Sequence, residues 1–201
     1  MTLNKRIRNV VFLLSISVIG LFVVISWWPK NDKLPVLGSV HDYYFEDAFN
    51  GSYRLTNEKV KLTMFFYTRC PDICPLTLFD FEELQDELKK AGLFGSQVEL
   101  VSITFDPEHD TPEVLRQYAA RFQADPNGWK WVSGSPKVIR QLADELRVQY
   151  KKIDEHFFSH STTMFLIDKN NQVRAIYDMA FQSKPIDKQK ILEDVTYLAS
   201  N

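Results

Sequence analysis

Cysteine is scarce in this chain of 201 residues: there are only two, and both lie in one short stretch. A scaffold held together by several disulfides is therefore excluded, and the chain must bury a hydrophobic core to fold. Neither sign of charge is in large excess, because 24 Lys and Arg residues face 26 Asp and Glu residues. That balance argues against nucleic acid as a partner. The chain has no internal repeat and no low-complexity tract, and its length suits one globular domain.

One long apolar segment is present. Residues 10–28 carry no charge over 19 positions, which is close to the roughly 20 residues that a helix needs to cross a bilayer. The segment ends in two tryptophans before Pro29 and Lys30, not in a small-residue cleavage site, so we predict an uncleaved anchor. Basic residues without an acidic neighbour precede it, and the positive-inside rule then leaves the N-terminus in the cytoplasm. These residues are Lys5, Arg6 and Arg8.

The predicted organisation follows from that anchor. Residues 1–9 are a cytoplasmic tail, 10–28 the transmembrane anchor, 29–40 a linker, and 41–201 a domain on the outer face of a bacterial cell membrane. Without the three basic residues of the tail, 21 basic residues face 26 acidic ones, a net charge of −5. The domain is therefore predicted to be mildly acidic.

The most informative stretch is Cys70-Pro71-Asp72-Ile73-Cys74-Pro75. It follows an apolar strand predicted over residues 61–68 and precedes a helix predicted over 76–90, whose apolar residues include Phe79. The thiols then lie at a helix N-terminus, where the macrodipole, free N–H groups and Arg69 favour the thiolate form. Cysteines four residues apart share one face of a helical first turn. A thiolate pair can bind a soft metal or exchange disulfides.

A structural disulfide is the alternative interpretation of the pair, because an extracytoplasmic compartment is oxidising. Two features weaken that alternative. A bridge between Cys70 and Cys74 closes a very short loop, which restrains the unfolded chain little, and the helix-terminal position favours reactivity. The expected Cα separation of roughly 6 Å still permits a bridge, so reversible oxidation is available to the site.

Strands and helices alternate along the rest of the chain. Asn50-Gly51 predicts a hairpin, while Thr111-Pro112 and Ser135-Pro136 each predict a capped helix start. The predicted elements are a strand at 98–105, helices to about Phe122 and Arg147, hairpin strands at 162–167 and 172–177, and a helix at 187–199. This order predicts an α/β sandwich of the thioredoxin type.

One histidine lies in a loop that the predicted fold brings close to the cysteines. In a thioredoxin-like fold, the loop before the first strand of the late hairpin packs against the N-terminus of the cysteine helix. Here that loop is residues 157–161, and it carries His160. Since His160 is 86 positions beyond Cys74, only the fold could bring them together.

Three segments together resemble the Sco/SenC family of copper proteins over roughly residues 41–198. They are Phe-Phe-Tyr-Thr-Arg-Cys-Pro-Asp-Ile-Cys-Pro at 65–75, Asp-Pro-Glu-His-Asp-Thr-Pro-Glu at 106–113, and His160 followed by Thr-Thr-Met-Phe-Leu-Ile-Asp after one serine. The cysteine spacing is specific, because ordinary thioredoxins separate their cysteines by two residues.

The resemblance implies a membrane-tethered, thioredoxin-fold copper chaperone that helps to assemble the binuclear copper centre of cytochrome c oxidase. The copper ligands of the family correspond to Cys70, Cys74 and His160, and Asp106 would help to shape the site without binding copper itself. The donor chemistry agrees, because two thiolates suit Cu(I) and an imidazole lets the site hold Cu(II). The implied partners are an unidentified copper donor and the copper-receiving subunit of the oxidase.

The chain departs from the family pattern at two positions. Ser159 stands where many members have Asp, and His109 where arginine is common. His109 is expected to be exposed, His156 is not expected to pair with His160, and His41 is expected at the edge of the linker. The sulfur and indole side chains are expected in core or loop packing: Met64, Met164, Trp129 and Trp131. Met179 is a further candidate for a thioether ligand.

Two other functions compete with copper delivery. A thiol-disulfide oxidoreductase that reduces the cysteines of the copper-receiving protein would use Cys70 and Cys74 without needing His160. A peroxidase of the peroxiredoxin kind is disfavoured, because the Pro-x-x-x-Thr/Ser-x-x-Cys pattern is absent from the chain.

Overall fold

The structure is a computed structural model that describes residues 34–182 and 184–200, together with the isolated positions 14 and 20. The predicted tail, the predicted anchor and the start of the predicted linker lie outside these residues. No helix among the described residues combines the length and apolar character that a membrane crossing requires.

An eight-stranded sheet forms the centre of the domain, in the order β1-β10-β9-β4-β5-β6-β2-β3. A separate two-stranded sheet pairs β7 with β8. The strands are β1 Gly38–Ser39, β2 Tyr44–Asp47, β3 Gly51–Arg54, β4 Val60–Phe66, β5 Val98–Thr104, β6 Trp129–Ser133, β7 Tyr150–Lys152, β8 Phe158–His160, β9 Thr163–Ile167 and β10 Gln172–Asp178. The helices are α1 Ile73–Lys90, α2 Pro112–Ala119, α3 Pro136–Glu145 and α4 Lys188–Ser200, with a short 3-10 helix at Ala120–Phe122.

The three central strands β4, β5 and β6 run parallel, and β9 pairs antiparallel with β4. All seven residues of β4 and all seven of β5 are buried, as expected for strands covered on both faces. Helix α1 packs on β5 and against α4, and α4 packs on β4. The predicted α/β sandwich is thus confirmed, and it places the end of β4 at the start of α1.

The predicted caps are confirmed. Thr111 accepts a hydrogen bond from the backbone N–H of Val114, and Ser135 accepts one from that of Val138. Helix α3 ends at Glu145, two residues before the predicted end, because Arg147 adopts a left-handed backbone with φ of 57°. The predicted hairpin is also present, since β2 and β3 pair directly.

Residues before His41 also pack on the domain, because Leu34 and Val40 are buried in the core and β1 pairs with β10. Trp129 and Trp131 are core residues as expected, but they lie in strand β6, which the sequence pattern did not reveal. Phe79 is 53% exposed and lies outside the buried face of α1. That face instead contains Cys74, Leu78, Phe81, Leu84 and Leu88.

Candidate metal centre

The two cysteines lie close together at the carboxyl end of β4. Cys74 is the second residue of α1 and is fully buried, whereas Cys70 is 9% exposed and precedes the helix N-cap, Asp72. The prediction that both thiols share a helical turn was therefore wrong for Cys70, because the chain turns after β4 before the helix begins. The turn still brings the two residues together, since the Cys74 N–H donates to the Cys70 Sγ at 3.5 Å. Both thiols are free.

His160 joins the cysteine pair. The thiol sulfurs of Cys70 and Cys74 and a ring nitrogen of His160 all lie within 4.8 Å of one another. His160 was expected in a loop, but it is the last residue of β8, where it pairs with Tyr150. Its Nδ1 is 2.9 Å from the Ser161 carbonyl oxygen. Because a carbonyl only accepts, Nδ1 carries the proton and Nε2 is the ring atom available to a metal.

Hydrogen bonds separate the acidities of the two thiols. A hydrogen bond from Cys74, with others from His160 and from the backbone at Asp72 and Cys74, lowers the pKa of Cys70 to about 4 against the effect of burial. Burial and the neighbouring Cys70 raise the pKa of Cys74 well above its ordinary value. Burial alone would lower the pKa of His160, but its bonds to Cys70 and the Ser161 carbonyl raise it. The reduced site thus carries a thiolate at Cys70 and keeps a proton on Cys74.

Arg69 does not supply the stabilising charge that the sequence suggested for the thiolate. Its Nη2 donates to the buried carboxylate of Asp106 at 2.6 Å, and its Nη1 lies 2.7 Å from Nδ1 of His156. The guanidinium therefore binds two other partners, and hydrogen bonds from Cys74, His160 and the backbone lower the pKa of Cys70. Asp106, which the resemblance places near the ligands, binds Arg69, the residue before Cys70, and no hydrogen bond within the described part of the chain joins it to any of the three.

Asp110 supports the same turn and was missed by sequence reasoning. Its buried carboxylate accepts hydrogen bonds from the backbone N–H of Thr68 at 3.1 Å and from the hydroxyls of Thr68 and Thr104, each at 2.5 Å. Burial raises the pKa of Asp110 despite these bonds. The only sequence signal for Asp110 was the acidic segment after β5, and an acidic residue beside a helix cap is usually exposed.

Aromatic rings enclose His160. Its ring centroid is 5.1 Å from that of Phe105 and 6.0 Å from that of Tyr67, and Phe158 packs on both aromatic residues. A cavity of about 350 Å³ opens beside Cys70 and His160. The site is therefore walled by apolar groups on one side and reachable by a small group on the other.

The remaining candidate residues lie elsewhere. His109 is exposed as expected, and His41, which was expected at the edge of the linker, is exposed and binds Glu145. Met64 and Met164 are fully buried core residues of β4 and β9, and Met179 is 2% exposed. Within the described residues, Cys70, Cys74 and His160 form the only group of three potential metal ligands.

A family model described as SCO1/SenC matches residues 41–196 of this chain. The chain belongs to the SCO1/SenC family. It is 26% identical over 208 residues to a SCO2-like protein of Rickettsia prowazekii, covering 92% of this chain and 97% of that protein. This family assignment confirms the resemblance drawn from the three sequence segments.

Two solved Sco structures share the fold. BsSco, described as a member of the Sco family of cytochrome c oxidase assembly proteins with a disulfide switch, matches with a TM-score of 0.70 at 22% identity, over 84% of this chain and 97% of that one. Copper-bound ScoI of Bradyrhizobium japonicum matches with a TM-score of 0.66 at 24% identity, over 79% and 98% respectively. These likenesses confirm the thioredoxin-like architecture.

The acidity of Cys70 predicts unusual behaviour in alkylation. An ordinary thiol, with a pKa of about 8.5, reacts about tenfold more slowly for each pH unit below that value. Because Cys70 is deprotonated above about pH 4, its reaction with iodoacetamide should stay nearly constant from pH 8 down to pH 5. Peptide mapping should find the label on Cys70 and not on Cys74.

The His160→Ala variant is the control for this measurement, because it removes one of the hydrogen bonds that lower the pKa of Cys70. Its labelling at pH 5 should slow relative to the unmodified chain. A rate that falls tenfold per pH unit in the unmodified chain would contradict the assignment of the thiolate.

Proposed function

We propose that this protein binds one copper ion through Cys70, Cys74 and His160 and delivers it to another protein. The observation that carries the proposal is the convergence of two sulfurs and an imidazole nitrogen within 4.8 Å. Metal–sulfur and metal–nitrogen bonds of about 2.3 and 2.0 Å, as at zinc sites, require ligand atoms no more than roughly 4.6 Å apart. The site therefore needs only a small contraction to close around an ion. Copper bound to a family relative supports the choice of metal.

The ligand set suits a metal that must be released again. Two thiolates favour Cu(I), and the imidazole allows the same site to hold Cu(II). Three ligands leave one coordination position for an incoming ligand of the recipient. The cavity beside Cys70 and His160 gives that ligand access to the site, whereas Cys74 is fully buried at the start of α1.

We further propose that the recipient is the binuclear copper centre of cytochrome c oxidase. Family membership supports this, because BsSco is described as belonging to the cytochrome c oxidase assembly proteins. Delivery to that centre fits the predicted anchor at residues 10–28 with the domain on the extracytoplasmic side. Protease added outside spheroplasts should digest the domain and spare an N-terminal tag, and a mature protein starting near Lys30 would contradict the anchor.

A thiol-disulfide oxidoreductase is the second candidate function. The proximity of the two sulfurs and the low pKa of Cys70 favour it, since a thiolate beside a second thiol can attack a disulfide and then be released by internal closure. In that exchange, the Cys70–Cys74 disulfide forms, and the two electrons reduce the disulfide of the partner. His160 is needed for copper binding but not for this exchange.

Rescue of cells that lack the protein distinguishes the two functions. If delivery is the main task, oxidase activity lost at low copper should return when copper is added, because mass action can load the recipient slowly. A dedicated reductase predicts rescue by a small thiol reductant and little benefit from copper. A His160→Ala protein that fully restores oxidase assembly at limiting copper would favour the reductase.

A further inference from the structure

The hairpin of β7 and β8 carries His160 at one end and His156 near its tip. His156 is exposed and lies outside the candidate metal centre, yet its Nδ1 is 2.7 Å from Nη1 of Arg69. Arg69 directly precedes Cys70. One side-chain contact therefore joins the segment that presents the first cysteine to the segment that presents the histidine.

The chemistry of that contact assigns the donor and the acceptor. A guanidinium only donates hydrogen bonds, so Nδ1 of His156 must be the acceptor and the imidazole is neutral with its proton on Nε2. The other end of Arg69 donates to Asp106, which is 3% exposed. No partner of the Arg69 Nε is found among the described residues. Asp106 and His156 together thus hold the guanidinium in place.

Few other hydrogen bonds or ion pairs between described residues attach the tip of the hairpin to the domain. Residues 151–157 are all exposed, and Ile153 and Phe157 expose 55% and 46% of their surface. Lys152 approaches Glu108 only to 3.9 Å at the surface, where such pairs contribute little. The base of the hairpin is better attached, because Phe158 is buried and Arg140 stacks on Tyr150 at 3.7 Å.

The tip is internally rigid, so its position can be transmitted to His160. Asp154 Oδ1 accepts hydrogen bonds from the backbone N–H groups of His156 at 2.7 Å and Phe157 at 2.8 Å. The two strands then pair in register up to His160 opposite Tyr150. A shift of the tip would therefore be transmitted along this short ladder toward His160, opposed by the packing of Phe158 and Tyr150 at its base.

We propose that His156 is a positioning residue: by accepting a hydrogen bond from Arg69, it holds the hairpin so that His160 stays within reach of both sulfurs. The proposal rests on the proposed copper function for its consequence, but its geometry concerns the metal-free protein as well. Loss of this contact should therefore weaken binding through the imidazole, and hence Cu(II) binding, more than binding through the two thiolates.

Two substitutions of His156 form a matched pair for the test. In His156→Asn, the amide Oδ1 stands the same number of bonds from the backbone as Nδ1 and can accept the same hydrogen bond. In His156→Leu, the acceptor is lost while a side chain of similar bulk remains. Arg69→Lys keeps a charge beside Asp106 but loses the fork that reaches both partners, so it should behave like His156→Leu.

Copper binding by the full-length protein provides the first measurement. We expect His156→Leu to lower the affinity for Cu(II) about tenfold, the scale seen when a group that orients a metal ligand is removed. Nitrogen couplings in the electron paramagnetic resonance spectrum should weaken, and His156→Asn should stay near the unmodified protein. Cu(I) affinity should change little in all three variants. Equal losses in His156→Asn and His156→Leu, or no loss in either, would overturn the proposal.

Nuclear magnetic resonance of the metal-free protein provides the second measurement. Nuclear Overhauser effects between the rings of His160 and Tyr67 should weaken in His156→Leu and Arg69→Lys and persist in His156→Asn. Unchanged effects in His156→Leu would overturn the positioning role even if copper binds as proposed. An unmodified protein that binds no copper would overturn the proposed function, while the ring contacts would still decide the role of His156.

Discussion

Replacing either cysteine with serine is expected to abolish tight copper binding. A serine hydroxyl is a harder donor than a thiolate and stays protonated near neutral pH, so each substitution removes a ligand that soft copper prefers. We expect Cys70→Ser and Cys74→Ser to lower Cu(I) affinity by at least about three orders of magnitude, or roughly 4 kcal/mol. Competition with a Cu(I) chelator of known affinity, using the reduced protein, measures the loss.

The controls for this prediction separate ligand loss from misfolding. Serine is the smallest change available at buried Cys74, and circular dichroism should show that both variants remain folded. His109→Ala removes an exposed histidine outside the site and should leave the affinity unchanged. A Cys74→Ser protein that is folded and binds Cu(I) as tightly as the unmodified chain would remove Cys74 from the ligand set.

Oxidation of the pair is expected to have an equally large effect. When Cys70 and Cys74 form a disulfide, the proton of Cys74 and two electrons leave to an oxidant, and no thiolate remains to bind copper. The oxidised protein should therefore hold less than about a tenth of the copper held by the reduced protein. Metal content after gel filtration, with thiol counting on the same samples, measures the difference.

Reduction supplies the internal control for the oxidised sample. Treatment with a phosphine reductant should restore both thiols, and copper added afterwards should bind at one ion per chain. If the oxidised and reduced proteins held copper equally, the ligands would have to lie outside the cysteine pair.

The part of the site built by neighbouring residues could be predicted from local sequence. An apolar run followed by a helical pattern places Cys70 and Cys74 where β4 leads into α1, because the spacing of apolar residues is a property of short segments. His160 could be placed only through the fold and the family resemblance, since 86 positions separate it from Cys74. No local pattern records a contact over that distance.

The sequence could not reveal the contacts that depend on the direction in which a side chain points. Arg69 stands beside Cys70 in the chain, yet it turns toward Asp106 and His156 because a buried carboxylate and a hairpin tip lie on its other side. The hairpin itself was missed, since strands of three residues with mostly exposed side chains carry no period-two hydrophobic signal. These unpredicted contacts are the ones that orient the predicted ligands.

The central claim is that a histidine completes the cysteine site, and Cu(II) bound to His160→Ala tests it most directly. In the unmodified protein, we expect a sulfur-to-copper absorption band together with nitrogen couplings from one imidazole. In His160→Ala, the nitrogen couplings should disappear, the band should shift, and Cu(II) affinity should fall by more than the about tenfold expected for loss of a group that only orients a ligand, while His41→Ala leaves all three unchanged. Undiminished Cu(II) affinity with an unchanged band in His160→Ala would contradict the account.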